Sequence, residues 1–512
     1  MKTSRLSPLA FCLAGLAGTA FADVKLPAII SDNMVLQQDT PAGVWGWADA
    51  GEKVTVKFAG KFVDAVADDA GKWSVKLDGL AAGTTGELMV AGKNTLMIKN
   101  VAVGEVWVCS GQSNMEWIVA GAKDAEQEIK AADFPMIRMY TLQKNARAEP
   151  VEDAVGKWEV CTPQTAGHFS AVGYFFGRRL YQTLQQPIGL IHTSWGGTPA
   201  EFWTPKPVLA ANPVYKPIFE SWEKAVAAYP AAKAKYEADL AAWKEATKTP
   251  PAPGATVPQQ PRAPRGGDAF GSPACLYNGM IAPILPYTIR GAIWYQGEAN
   301  AGQPDLYKKL FPTMIRSWRD AWKIEDFPFL FVQLANFMQR HEQPADTNWA
   351  RLREAQLETL ELPHTGMAVA IDIGEGGNIH PKNKQDVGLR LALWAEATVY
   401  YRDHEYTGPL PGGFQVEDSK ARLTFRNGEG MKASDGGKLK GFAIAGEDRK
   451  FVWADAEIQG DHVVISSPAV PKPVAVRYAW DDNPECNLIN SAGLPASPFR
   501  TDDWPLNPAP AK

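Results

Sequence analysis

Four short blocks of this sequence carry residue types that do chemistry, and each follows an apolar run. The first is Cys109-Ser110-Gly111-Gln112-Ser113-Asn114-Met115-Glu116-Trp117, directly after the run 106–109. A serine at such a junction sits where a strand gives way to a helix. Gly111 permits a tight turn, and the first amides of a helix are unpaired and lie at its positive dipole end. This is a setting for a nucleophilic hydroxyl whose backbone amide also holds an oxyanion. Taken alone the block favours a plainer reading, with Ser113 or Asn114 as an ordinary helix cap.

The other blocks supply what a nucleophile needs. Gly189-Leu190-Ile191-His192-Thr193-Ser194-Trp195-Gly196-Gly197-Thr198 runs from an apolar stretch into a glycine pair. Glycines at the end of a strand let a backbone amide approach a ligand; an ordinary βα turn has the same form. In Gly291-Ala292-Ile293-Trp294-Tyr295-Gln296-Gly297-Glu298-Ala299-Asn300, Gln296 can donate to an oxyanion through its amide. Glu298, when ionised, only accepts, so it suits an organising role or a substrate contact. The fourth block, Asp372-Ile373-Gly374-Glu375-Gly376-Gly377-Asn378-Ile379-His380-Pro381, carries one of the chain's seven histidines. Pro381 biases His380 toward an extended backbone. A loop-borne histidine can reach a serine as general base; a solvated surface histidine is the plain alternative. Ser194 is an internal rival, because His192-Thr193-Ser194-Trp195-Gly196 nearly matches the G-x-S-x-G elbow of an α/β-hydrolase.

The elements that must hold these blocks follow from hydrophobic patterning. The runs at 106–109, 188–192, 292–295, 329–334 and 367–371 are short and apolar throughout, as buried parallel strands are. Helical stretches at 174–185, 307–322 and 349–360 alternate with them, and another begins near Asn383, so the region 101–405 reads as an α/β domain with a parallel sheet. Ligands of open α/β sheets bind outside the carboxyl ends of the strands, where all four blocks fall. Residues 23–100 show short apolar runs separated by Gly and Asp turns, which suits a small β-sandwich. Residues 206–270 read as an insertion: an exposed Ala/Lys/Glu-rich helix over 222–248, then a proline-rich extended linker. Alternation returns at 406–480 as a second β-rich region, and 481–512 form a tail packed on the core.

Composition bounds the rest. In 512 residues, 45% hydrophobic and 21% charged content indicates a globular protein, and the net charge of −5 leaves no basic excess for a nucleic-acid partner. Residues 1–22 read as a secretory signal peptide: Lys2 and Arg5 precede an apolar run, and Ala20-Phe21-Ala22 offers a small-x-small cleavage site. The run falls short of the ~20 residues a membrane anchor needs. A secreted or periplasmic location follows, with cleavage after Ala22. Cys109, Cys161, Cys275 and Cys486 then remain, as one or two disulfides or as buried thiols. No C-x-x-C or H-E-x-x-H is present, which speaks against a zinc site.

In this order the four blocks resemble the sialate O-acetylesterase family of the SGNH-hydrolase superfamily, whose relatives include hemicellulose acetylesterases. Gly111-Gln112-Ser113-Asn114-Met115 looks like the nucleophile motif, Tyr295-Gln296-Gly297-Glu298 the third block and Ile379-His380-Pro381 the histidine block. Ser31-Asp32-Asn33-Met34-Val35-Leu36-Gln37 and Pro498-Phe499-Arg500-Thr501 extend the likeness over nearly the whole chain, the insertion excepted. The resemblance implies an SGNH-like fold and a metal-free, cofactor-free serine esterase acting on acetylated carbohydrate such as xyloglucan, xylan or O-acetyl sialic acid. Ser113 would be the nucleophile and His380 its base. The amides of Ser113 and Gly196 or Gly197, with Gln296, would form the oxyanion hole. The superfamily's aspartate three residues before the histidine is replaced here by Gly377. Asp372, Asn378 or a backbone carbonyl is left to orient His380, with Asp372 preferred, and a Ser-His dyad is the alternative.

The 18 tryptophans also fit sugars, whose rings stack on indole, and they motivate a competing reading as a non-catalytic carbohydrate-binding protein. Trp117, Trp195 and Trp203 are the candidates for a sugar platform, with Asn114 and Glu298 as further substrate contacts. Trp107 and Trp294 read as strand core.

Overall fold

The structure, a computed structural model, describes residues 23–248, 259–264 and 266–505. The signal peptide and much of the proline-rich linker lie outside the described residues. Among the described residues no helix is long and apolar enough to cross a membrane.

The fold is mixed α/β around a mostly parallel sheet. Its strands run, edge to edge, Thr365–Ala368, Phe329–Val332, Gly291–Tyr295, Thr95–Gly111, Ile188–His192, Phe134–Leu142 and Gly156–Cys161. All neighbours pair parallel except the last, which is antiparallel. The chain fills one side of Thr95–Gly111 first and the other side afterwards. Connections therefore leave in opposite directions beside the carboxyl end of that strand, and the resulting crevice is where an open α/β sheet binds ligands.

Strand residues alternate between the two faces. Trp107 packs edge-on against Phe176 of the helix Ala171–Leu184. In the parallel register Gly291 lies opposite Trp107 and Trp294 opposite Ser110, so Trp294 faces the other way. There it meets Trp203 and Trp318, the latter from the helix Pro304–Trp322. The helix Lys384–Thr398 packs against Ala171–Leu184, and Asn348–Glu358 against Pro304–Trp322. A Cβ at Gly388 would lie 2.6 Å from that of Phe175, so the first pair approaches as closely as backbone allows.

Thr95–Gly111 is a 17-residue strand that serves two sheets. Its first half pairs with Thr85–Ala91 and Val35–Gln37 of the N-terminal β region, and its second half lies in the parallel sheet. The N-terminal region consequently shares one hydrophobic core with the α/β unit. The C-terminal β region has a core of its own, built on two four-stranded antiparallel sheets. Arg353 ties the final segment to the parallel sheet: fully buried, it donates to the carbonyls of Leu334, Ala335, Asp481 and Asp482.

The inserted helix spans Lys216–Ala246 and buries no residue fully. A half-buried stripe including Trp222, Tyr229, Tyr236 and Trp243 runs along it at helical spacing. The returning chain lies against this stripe, since a Cβ at Gly267 would collide with the Tyr229 ring. Cys109, Cys161, Cys275 and Cys486 are all unbridged.

Candidate active site

Ser113 opens a single helical turn, Ser113–Glu116, at the carboxyl end of the central strand. Gln112 rather than Ser113 is the cap, and no side chain caps the turn. The expected helix is thus one turn long. Gly111 has φ +136°, and a Cβ there would stand 2.2 Å from the Tyr295 carbonyl oxygen, so only glycine fits. The Gln112 amide donates to that carbonyl at 3.0 Å and the Trp195 amide donates to the Gly111 carbonyl at 3.1 Å. Both neighbouring strand ends therefore fix the serine turn.

His380 Nε2 lies 2.8 Å from Ser113 Oγ, although 267 positions separate them. Burial, then the nearby Lys384 charge, hold the imidazole below its ordinary pKa, which keeps it a neutral proton acceptor near pH 7. Its loop is held by Asn378, whose side chain donates to the His380 carbonyl at 2.9 Å and accepts from the His380 amide at 3.0 Å. Glu375 anchors the loop in turn, accepting from the Lys382 amide at 2.8 Å and from Asn378 at 3.1 Å.

Asp372 does not orient His380. Its carboxylate is held bidentate by Arg390, at 2.6 and 2.7 Å, and the same guanidinium donates to the Val369 carbonyl. A paired fork of this kind satisfies a carboxylate better than one imidazole N–H. Asn378 binds the histidine's backbone and not its ring. Among the described residues no side chain accepts from His380 Nδ1, so Ser113 and His380 are in contact without a third side chain on the ring. Asp372→Asn is accordingly expected to reduce kcat less than about tenfold, where loss of a triad carboxylate costs about 10⁴-fold. It should lower stability by about 1–2 kcal/mol through the weakened pair with Arg390. Steady-state rates and a thermal melt separate the two roles.

The other expected residues divide. Gly196 is brought beside Ser113, where a Cβ would stand 3.2 Å from that of the serine. Its amide, however, donates to Glu116 Oε2 at 2.6 Å, and Glu116 Oε1 pairs with Lys144 at 2.5 Å. Gln296 is fully buried, and its amide donates to Asn300 Oδ1 at 2.6 Å and to the Thr198 carbonyl at 3.3 Å. With both hydrogens engaged it is a brace for the loop and not an oxyanion donor. Asn114 is likewise turned inward rather than toward a substrate: it donates to Glu298 Oε1 and the Ile379 carbonyl and accepts from Lys384. Glu298 also faces inward, with Oε1 bonded to Asn114 and Oε2 buried and unpartnered; burial raises its pKa.

Trp203 is fully buried, edge-on to Trp294, with Nε1 donating to Thr198. It is core and no sugar platform. Trp195 is stacked on Phe270 of the insertion at 4.7 Å, with the Lys144 ammonium over its ring. Trp117 stacks on His380 at 5.4 Å and 19°. It lines a cavity of ≈ 540 Å³ together with Ser113, Glu116, Ile118, Gly121 and His380. Ser194 is 3% exposed and bonded to His192, whose imidazole burial pushes down to about 4. No helix follows it directly, so it is not the elbow serine of an α/β-hydrolase.

Sequence reasoning left Glu116, Lys144, Lys384 and Phe270 without roles. Lys384 carried a signal: a lysine in the first turn of a helix faces the wrong end of the dipole, and needs a partner there. Phe270 and Lys144 carried none, since only the folded chain brings them to Trp195.

The sequence model of the carbohydrate esterase family described as sialic acid-specific acetylesterase matches residues 103–238 and 267–397. The sialate O-acetylesterase of Rattus norvegicus is 31% identical over 94% of this chain and 94% of its own length. That of Homo sapiens is 30% identical over 94% of this chain and 93% of its own. A solved carbohydrate acetylesterase from Xanthomonas citri superposes with a TM-score of 0.80 at 38% identity, covering 94% of this chain and all of that one. With a serine and a histidine in contact at the sheet's switch point and likeness along nearly its whole length, the chain belongs to this carbohydrate esterase family and is a carbohydrate O-acetylesterase.

Proposed function

We propose that this esterase deacetylates neutral sugars, such as acetylated xyloglucan or xylan fragments, through an acetyl-enzyme on Ser113, and that it works outside the cytoplasm once residues 1–22 are removed. The observation that carries the mechanism is the 2.8 Å contact between Ser113 Oγ and His380 Nε2 beside the cavity. Ser113 Oγ bonds to the acetyl carbonyl carbon as its proton passes to His380. The tetrahedral oxyanion is held by the amides of Ser113 and Gly196, and Glu116 must release the Gly196 amide for this. Collapse breaks the ester bond, and the sugar oxygen leaves with the proton from His380. Water, deprotonated by the same histidine, then adds to the acetyl carbon; the bond from that carbon to Ser113 Oγ breaks, Oγ takes the proton back from His380, and acetate leaves.

Substrate choice rests on the cavity lining, which includes the Glu116 carboxylate and no arginine or lysine. Glu116 is already paired with Lys144, so the lining offers an anionic sialate no free cation to bind its carboxylate, a group that a neutral sugar lacks. Trp117 offers it an aromatic wall. Acetate release should be measured on acetylated xyloglucan oligosaccharides, acetyl-xylan and O-acetyl sialic acid. Higher kcat/KM on the neutral glycans is expected; activity confined to the sialate would overturn the preference. The histidine also sets a pH limit. Because its pKa is lowered, the rate should persist below pH 6.5 and decline only as pH falls through that lowered value and the imidazole is protonated. A kcat/KM profile for 4-nitrophenyl acetate reads this directly.

A further inference from the structure

Behind the dyad lies a buried polar cluster that takes no direct part in the transfer of the acetyl group. Lys384 is fully buried in the first turn of Lys384–Thr398, where the helix dipole opposes its charge. Its ammonium donates to Asn114 Oδ1 at 2.5 Å and lies 5.4 Å from the centre of the Tyr295 ring. Asn114 donates to Glu298 Oε1 at 2.5 Å and to the carbonyl of Ile379 at 3.0 Å. Asn114 directly follows the nucleophile and Ile379 directly precedes the base. One amide side chain therefore joins the two catalytic segments, and a buried cation and a buried carboxylate hold that amide in one orientation.

We propose that Lys384 and Glu298, joined through Asn114, form a buried positioning unit that holds His380 in reach of Ser113, in a site where, among the described residues, no carboxylate reaches the imidazole. The inference rests on reading Ser113 and His380 as the catalytic dyad. In a triad the carboxylate orients the ring through Nδ1. Here the orientation is imposed on the backbone from both sides, by Asn114 at the Ile379 carbonyl and by Asn378 at His380 itself. Trp117 covers the ring face. Isolated, a buried ammonium or carboxylate is costly; paired through an amide with its hydrogens engaged, the set fixes one geometry.

Lys384 has a second effect that a purely structural residue lacks. The titratable groups facing it are Glu298 from the turn after Gly291–Tyr295, Tyr295 itself, and Glu375 and His380 from the histidine loop. Burial pushes its pKa down to about 7, and Glu298 and Glu375 oppose that shift. Its charge disfavours protonated His380 and so keeps the base available at lower pH.

Lys384→Met and Lys384→Gln in the full chain test this, with 4-nitrophenyl acetate as probe and circular dichroism and a thermal melt as folding controls. Lys384→Met should lower kcat about 10- to 100-fold with KM nearly unchanged, because a misplaced base affects the chemical step more than binding. The acid limb of its pH profile should move to higher pH, as the charge that lowers the His380 pKa is gone. Lys384→Gln keeps a donor for Asn114 without the charge. It should recover most of kcat yet retain the shifted limb, and it decides the matter if the methionine variant does not fold. Wild-type kcat and pH profile in either folded variant would overturn the proposal. So would a fall in kcat with the limb unmoved, which marks a merely structural residue. If Ser113→Ala stays active, the dyad reading fails instead.

Discussion

Ser113→Ala is expected to abolish acetate release, with kcat for 4-nitrophenyl acetate falling about 10⁴- to 10⁶-fold, while Ser194→Ala retains most of its activity. The size follows from what is lost: without Oγ no acetyl-enzyme forms, and only positioning and oxyanion binding remain. The contrast follows from burial. Both serines contact a histidine, Ser113 with His380 and Ser194 with His192. Ser113 and His380 line the cavity, whereas Ser194 is 3% exposed. His192 is held neutral by its burial, and its pair with Ser194 closes a turn inside the protein. Kinetics of both alanine variants decide the nucleophile, and the reverse outcome would remove the dyad from the mechanism.

Trp203→Ala should destabilise the fold by about 3–5 kcal/mol, the cost of a large cavity in a close-packed core. Trp203 fills the space under Trp294 at 5.9 Å and 87°, its indole N–H satisfies Thr198 at 3.0 Å, and its carbonyl accepts from Trp318 at 2.8 Å. Truncation would leave Thr198 without that donor and open the face of the sheet beneath the Gly196 loop. A large drop in melting temperature is the expected result. Trp117→Ala should instead melt close to the wild type and lose kcat, because it removes the wall against His380. A Trp203 variant with an unchanged melt and weakened sugar affinity would restore it as a platform residue.

The fold and the site differ in how much of each is legible in the sequence. Buried parallel strands must be apolar on both faces, so their runs announced themselves; 188–192 was delimited to the residue as Ile188–His192. The apolar run 367–371 overshoots the strand Thr365–Ala368: the ladder ends at Ala368, and Arg390 takes the Val369 carbonyl. Local texture changes near residue 100 and suggests a boundary there. It could not show that Thr95–Gly111 continues through that point, because pairing partners and not local texture define a sheet.

At the site, residue type and position after a strand were enough to single out Ser113 and His380, because strand ends converge in any open α/β sheet. Partner choice was not legible. Asp372 has the right chemistry to orient a histidine, yet Arg390, one helix away, takes both its oxygens. Gln296 has the right donors, yet Asn300 and Thr198 engage them first. Trp203 has the right ring for a sugar, yet it lies in the core. By itself the sequence determined the α/β fold and the order of the four blocks, and it named Ser113 and His380 as candidates that the fold brings into contact, since these depend on local pattern and on which side chains can do the chemistry. Only the tertiary structure decided which polar groups satisfy one another, because a hydrogen bond goes to whichever partner the packed chain brings within about 3 Å, and that partner can be hundreds of residues away.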